Sequence, residues 1–547
     1  MVRLRFSGAV FGIAGDGTLV VDRWTGRYVL HLDAGPAGES EGFDGTHAWR
    51  ADASGMPRIE GNLDQRAAMV DFAHVLSPAG GNGRLISKRA DSPSELLECA
   101  GIGSRPVRIT LDPGNGYVRE LEQHVGANVT RTSFDDYRSV DGVVVPYSIK
   151  RSDDNGTWEA KVNDVTTGGA PAPDELAPPP VPRDSELESG PNAVALAVPV
   201  HYPIVSVTVN GVSLRFILDT GGQNVITPAA AKRIGAQAVG GGTVGGAGAG
   251  LASIRYAWID RMQVGPALMR HQAFIVLSLG KLVDGVDGIV GYELLARFAT
   301  RLDFVHATLT FYRDAPATAG ETIVPMRFLD RQPEIDASLD GLSGAMSIDT
   351  GSSGSIDVNS PFAQSHRLAY RYPLQVRGMT YAGVGGAVSA EFVRGHELRI
   401  GNLSLAGPLV SITAATGGFE SDPTVAANIG DTVLHHFTIT FDYPHQQIAF
   451  VADGLRGPDQ WPDKSGIALE QSDGKLVVGS VLSPTPASAA GLRPGDRIVI
   501  ADGAVFTSAD EAALVRLFDG PDGSVVRLVI RRNGERRHVD LVLHTYL

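Results

Sequence analysis

The sequence predicts a mainly β chain built from several units, and three observations carry that expectation. Short alternating apolar runs, separated by turn residues, recur through most of the chain. The stretch 193–452 repeats itself internally, and helix-period patterns are few and short. At 547 residues the chain also exceeds what one hydrophobic core serves. The expected divisions are an antiparallel β domain at 1–167, a linker at 168–192, two related lobes at 193–320 and 321–452, and a small β-barrel with helices at 463–547.

Composition narrows the function. Hydrophobic residues make up 43% and charged residues 20%, ordinary for a globular protein. With 47 Lys and Arg against 61 Asp and Glu the net charge is −14, and no basic stripe or tail offsets it. That argues against nucleic-acid and anionic-membrane partners. The lone Cys99 rules out an intrachain disulfide and a Cys-based metal site. No apolar run reaches the ~18 residues a membrane span needs. In the opening MVRLRFSGAVFGIAGDGTLVV, Gly, Asp and Thr arrive too early for a signal peptide.

Taken in order, the N-terminal region alternates in TLVVDRW, YVLHL and GVVVPYSIKR, which reads as antiparallel strands. SPSELLECAGIG is the one segment there expected to be helical, with Cys99 a buried small residue. The phrases GFDGTHAWRADASG and FDDYRSVDGVVVPYSIKR resemble a LolA/LolB-type lipoprotein-carrier domain. The resemblance implies a sheet wrapped round a helix and able to shelter acyl chains. The competing expectation is a β domain that positions or inhibits its neighbour. Residues 168–192, rich in Pro, Gly, Ala and acids, read as a linker, and a weaker break falls at 453–465.

The central stretch carries the chemistry. Copy one reads VSVTVNGVSLRFILDTGG and copy two EIDASLDGLSGAMSIDTGS. Each places a hairpin dipeptide, Asn210-Gly211 or Asp340-Gly341, nine positions before an aspartate. Each then delivers Asp-Thr-Gly, at Asp219-Thr220-Gly221 and Asp349-Thr350-Gly351. Short helices opening on proline follow, PAAAKRIG and PFAQSHRL, and then the glycine-rich GGGTVGGAGAG and GMTYAGVGGAV. The closing runs at 288–312 and 427–451 match in the spacing of Gly291, Phe298 and Asp303 with Gly430, Phe437 and Asp442.

Both copies resemble a lobe of the pepsin/retropepsin clan, so the stretch looks like two retropepsin-sized lobes fused in one chain. The resemblance implies a catalytic pair, Asp219 and Asp349, supported by Thr220, Gly221, Thr350, Gly351 and Ser352, with no metal or other cofactor. Thr220 and Thr350 would tie the loops together, and the glycine-rich stretches would close as flaps. Two carboxyls sharing a proton suit amide hydrolysis, because one activates water while the other protonates the carbonyl oxygen. Gly222 departs from the Ser or Thr often found after the motif; Ser352 keeps it, with its hydroxyl expected on the outer carboxylate oxygen. Asn428 stands where a large apolar residue is usual. Asp303 and Asp442 suit structural roles. Gly240, Gly242 and Gly245 fit GxGxxG but lack the βαβ setting of a dinucleotide site. His435-His436 has no third ligand at metal spacing.

Residues 466–547 include SPTPASAAGLRPGDRI, a short helix ending at Gly491 and a turn at Pro494-Gly495. This resembles a bacterial PDZ domain, which implies peptide binding by strand addition. Backbone groups of Gly466, Ile467, Ala468 and Leu469 would receive a terminal carboxylate, with the helix at 508–518 setting specificity.

The expectation is an aspartic endopeptidase for peptide or protein substrates, active as a monomer, with a PDZ domain that binds C-terminal peptides. Its alternatives are a non-catalytic binding scaffold on the same fold and an active site formed by like lobes in a dimer. The carrier resemblance implies the periplasm or cell envelope. Substrate, pH optimum and PDZ ligand are not encoded in any motif.

Overall fold

The computed structural model describes residues 1–76, 84–89, 95–100, 105–172, 174–197, 202–279, 285–372, 375–379, 383–386, 388–452 and 463–547, with 84–89 and 95–100 described by backbone alone. The chain is mainly β, as expected. The side chain of Cys99 and most of the break at 453–465 lie outside the described residues.

Thirteen strands at the N-terminus form one antiparallel sheet, in which every neighbour but one is adjacent in sequence. The exception joins Val2–Val10 to Gly156–Thr167. The helix Leu63–Leu76 packs on this sheet through Met69, Phe72 and Ala73. Asn62 starts the helix, its Oδ1 accepting from Asp64 N at 3.1 Å and Gln65 N at 3.4 Å. The helix expected in SPSELLECAGIG is overturned: Glu95–Ala100 is a strand, paired on both sides. Sheet pairing on two edges outweighs the modest helix preference of Glu and Leu there.

Each lobe starts from a tight hairpin. Asn210 and Gly211 have φ of 46° and 83°, and Asp340 and Gly341 have 51° and 78°, the positive pair that a type I′ turn demands. In the first lobe Val212–Leu218 runs antiparallel to Ile204–Val209 and parallel to Gly288–Val290. In the second, Leu342–Ile348 runs antiparallel to Gln332–Leu339 and parallel to Ala427–Ile429. A third strand closes each motif, Val225–Ile226 against Gly288–Val290 and Ile356–Val358 against Ala427–Ile429. Between the lobes the terminal strands Ala299–Asp303 and Phe437–Asp442 pair antiparallel, so one sheet and one apolar core join both halves.

Asp303 and Asp442 end these strands and take structural roles. Asp303 accepts from His306 N at 2.9 Å, and Asp442 meets His445 Nδ1 at 2.8 Å.

The stretch 168–192 is anchored on the first lobe. Ser185–Leu187 pairs with Ala267–Met269, and Asp184 binds the buried Arg297 at 2.6 Å. At the C-terminus a five-strand path packs with the helix Glu511–Phe518, and Gly491 and Gly495 take positive φ at the expected turns. No helix among the described residues is long and apolar enough to cross a membrane.

Candidate active site

The two Asp-Thr-Gly loops face each other at the lobe junction. Asp219 N donates to Val290 O and Asp349 N to Ile429 O, each at 3.0 Å, which hangs both aspartates from the parallel strand behind them. The threonines, both fully buried, cross between lobes. Thr220 Oγ1 donates to Ile348 O at 2.7 Å and accepts from Thr350 N at 3.0 Å. Thr350 Oγ1 returns both bonds, to Leu218 O at 2.7 Å and from Thr220 N at 3.1 Å. No donor or acceptor in the ring is left open, so the loops are fixed as one unit.

The motif glycines set how close the carboxyls come. A Cβ on Gly221 would lie 2.6 Å from Asp349 Cγ, and one on Gly351 would collide with the Asp219 carboxyl. Each glycine therefore makes room for the carboxyl of the opposite lobe. Gly291 and Gly430 do the same one layer back: a Cβ there would strike Gly222 O and Gly354 O. The two carboxyls lie close enough to influence each other, and burial pushes both above the ordinary range.

They are not equivalent. Asp349 Oδ1 accepts from Gly351 N at 2.8 Å, and Oδ2 accepts from Asn428 Nδ2 at 3.1 Å. Ser347 orients that amide, its Oγ donating to Asn428 Oδ1 at 2.6 Å. These donors oppose the upward push of burial on Asp349. On Asp219 burial and the neighbouring Asp349 act together and outweigh the backbone donors Gly221 and Gly222, so it is held well above the usual carboxylate range. The pair titrates as a unit, and the side-chain donor on Asp349 favours charge on that carboxyl. Asn428, visible in the sequence only as an interruption of an apolar run, supplies this bias. Ser352 is buried, and its Oγ accepts from Gly354 N at 3.2 Å.

The two glycine-rich stretches meet each other. Gly250 N donates to Gly385 O at 3.0 Å, and Phe419 N to Gly246 O at 2.8 Å. Gly246, Gly248, Gly385 and Gly418 pack backbone to backbone, where any Cβ would collide. Each flap is also held from outside. Gly241 N donates to Phe11 O and Thr243 N to Asn155 O, both at 2.9 Å, so two turns of the N-terminal sheet grip the first flap. On the second flap, Arg377 and Ser483 exchange backbone bonds of 2.8 and 2.9 Å, and Leu482 packs on Val376, Ala390 and Phe392. Of the GxGxxG glycines, Gly242 serves close backbone approach, since a Cβ there would lie 2.9 Å from Asn155 O, and Gly240 takes a positive φ of 65°.

In the C-terminal unit Gly466 has φ of 78°, and its N–H donates to Asp463 Oδ1 at 3.3 Å. Ile467 N donates to Ser465 Oγ at 3.0 Å. Ile467–Ser472, which holds Ala468 and Leu469, pairs on one side only among the described residues. His436 is buried, and no group of three His, Cys, Asp or Glu that could hold a metal occurs among the described residues.

The fold and site define an aspartyl protease-like unit followed by a PDZ-like unit, and two family models match within those units. The family model described as aspartyl protease matches residues 205–294, and a PDZ domain model matches 465–543. The solved aspartic proteinase from Irpex lacteus is similar at 14% identity, over 48% of this chain and 97% of that chain, with a TM-score of 0.34. No curated protein sequence matches.

Proposed function

We propose that the chain is an aspartic endopeptidase in which Asp219 and Asp349 activate a water molecule, and that its PDZ-like unit binds peptides or protein C-termini. The carrying observation is the threonine ring that fixes two buried aspartates as one unit, both served by backbone N–H groups and one of them also by the Asn428 side chain. In this reading ionised Asp349 takes a proton from water, and protonated Asp219 donates one to the scissile carbonyl oxygen. The proton then passes to the leaving nitrogen as the C–N bond breaks. Because both lobes lie in one chain, a monomer suffices.

In this reading Thr220 and Thr350 lock the loops and Gly221 and Gly351 admit the carboxyls, whereas the Ser352 hydroxyl, expected on the outer carboxylate oxygen, accepts from Gly354 N and Ser352 reaches Asp349 through its backbone N–H. In the PDZ-like unit Ile467–Ser472 ends the sheet among the described residues, and its outer side is the place for an added strand. Gly466 and Ile467 already use their N–H groups on Asp463 and Ser465. A peptide carboxylate must therefore displace those bonds or rely on Ala468 and Leu469.

The test is cleavage of a diverse peptide pool from pH 3 to 8, read by mass spectrometry, with Asp219→Asn and Asp349→Asn beside the wild type. Cleavage by wild type and silence in each folded single variant is the expected result. Silence in only one variant points to like lobes pairing across a dimer. No cleavage at any pH, with the PDZ-like unit still binding peptides, hands the reading to a non-catalytic scaffold.

A further inference from the structure

A cavity of about 270 Å³ lies between the N-terminal sheet and the first lobe. Its wall includes Gln223 and Asn224, from the loop that carries Asp219, and Thr243 and Tyr256 of the first flap. The loop that carries Asp219 thus forms part of the wall, while Asp219 and Asp349 themselves do not line it and much of the wall comes from the N-terminal sheet.

Charge on that wall is unevenly matched. Its guanidiniums are paired: Arg151 and Arg50 both meet Glu41, at 2.9 and 3.5 Å, and Arg331 meets Asp330 at 3.1 Å and Glu293 at 3.5 Å. Two wall carboxyls stand outside these ion pairs: Asp52, whose oxygens have no hydrogen-bond partner, and Glu39, which Arg50, Arg151 and Arg331 influence through charge alone while burial pushes its carboxyl up. They are direct cross-strand partners on adjacent antiparallel strands. That register puts both side chains on one face with Cβ atoms roughly 5 Å apart, where like charges repel. Both Asp52 oxygens are shut away from solvent with no donor. Asn224 is 1% exposed, and neither its amide nitrogen nor its amide oxygen has a partner.

Leaving such groups unmatched is costly, more so for an ion than for an amide. A cation rich in N–H donors, set between Glu39 and Asp52 and reaching Asn224 Oδ1, answers all three at once. No His, Cys, Asp or Glu triad with metal-holding geometry stands among the described residues, so the donor set fits an organic cation. We propose that this cavity binds an ammonium or guanidinium group, carried by a Lys or Arg side chain of a peptide in the cleft or by a free amine. The peptide source rests on the proposed peptidase reading; the site itself does not. The N-terminal sheet thereby contributes to substrate selection.

Two arms test this on the full chain. In the first, wild-type cut sites in the peptide pool are expected to be enriched for Lys or Arg at one fixed position from the scissile bond. Asp52→Asn lowers that preference about tenfold, while peptides without Lys or Arg are still cut. In the second, agmatine and cadaverine are titrated calorimetrically into the Asp219→Asn chain, which needs no activity. Both bind, and adding Asp52→Asn or Glu39→Gln weakens them about tenfold. Enrichment at a fixed position assigns the peptide side chain; amine binding without enrichment assigns a free amine. If wild type cuts nothing, the peptidase reading falls and the titration alone decides the site. Neither enrichment nor amine binding, or both unchanged in the folded Asp52→Asn and Glu39→Gln variants, overturns the proposal.

Discussion

Behind Asp219 the strand pair reads Ile217 beside Ile289; behind Asp349 it reads Ser347 beside Asn428. Apart from Gly222 in place of Ser352, the frame of the two loops is repeated: the hairpin turns, the parallel strand, the threonine ring and the glycines that admit the opposing carboxyl. Duplication thus supplies geometry twice, and two polar side chains in the second lobe supply direction. Fused lobes are free to diverge in this way, whereas two identical chains must share each substitution.

The same asymmetry extends to the flaps. The first is gripped by the N-terminal sheet and the second by the PDZ-like unit. Opening the cleft means breaking contacts with different neighbours on each side.

The comparison breaks most decisively at the aspartates. Asp219→Asn and Asp349→Asn are each expected to cut peptide cleavage by about 10³-fold or more, measured as kcat/KM. A surviving single variant would mean that the lobes do not act as one pair.

The threonine ring, in contrast, treats both lobes alike. Thr220→Val and Thr350→Val each strand a buried amide and a buried carbonyl, at about 2–4 kcal/mol in denaturant unfolding. Costs that differ widely between the two would show that the ring is less symmetric than its distances.

Asn428 is the point of departure, and its effect is one of pH. Asn428→Leu removes a donor from ionised Asp349, so its pKa rises and the acid limb of the kcat/KM profile moves up by about one unit. Ile289→Asn offers Asp219 an equivalent donor and is expected to move the alkaline limb down. Uniform loss of rate without movement of either limb would reduce Asn428 to packing.

Stability should follow pH in the direction set by the buried acids. Burial raises Glu293 and Glu334 to about 7, and Glu420, next to Asp357, to about 8. When the chain unfolds near neutral pH these groups release protons, so stability present at about pH 4 falls as pH climbs through 7 to 8. Groups held low, such as Asp22 and Asp44, act in the opposite sense only below about pH 4. Tm is expected to fall from pH 5 to 8, and Glu420→Gln to flatten that slope.

The smallest effect separates the flap grips. A Cβ at Gly242 meets the backbone oxygen of Asn155, which cannot swing away; one at Gly378 meets the end of the Leu482 side chain, which can. Hydrogen exchange in 239–256 should quicken in Gly242→Ala, with little change around 376–394 in Gly378→Ala.

What the sequence by itself determined here is local and repeated. Asn-Gly and Asp-Gly select their turns through backbone sterics, and prolines open the short helices. The duplicated Asp-Thr-Gly in matched spacing foretells two like lobes, and the PGD turn after a short helix foretells the C-terminal unit. All of these depend on neighbours within a few residues. The helix at 63–76 was legible in principle from Asn62 and the spacing of Ala67, Val70 and Ala73, yet it was the Glu-Leu run at 95–100 that drew the helix expectation. Only the tertiary structure decided that Asn428 touches Asp349, that Phe11 and Asn155 hold a flap, and that Glu39 and Asp52 face a cavity beside Asn224. Those meetings join residues from 79 to more than 200 positions apart. A charge or an amide in sequence reads as solvated until folding shows which ones water has left.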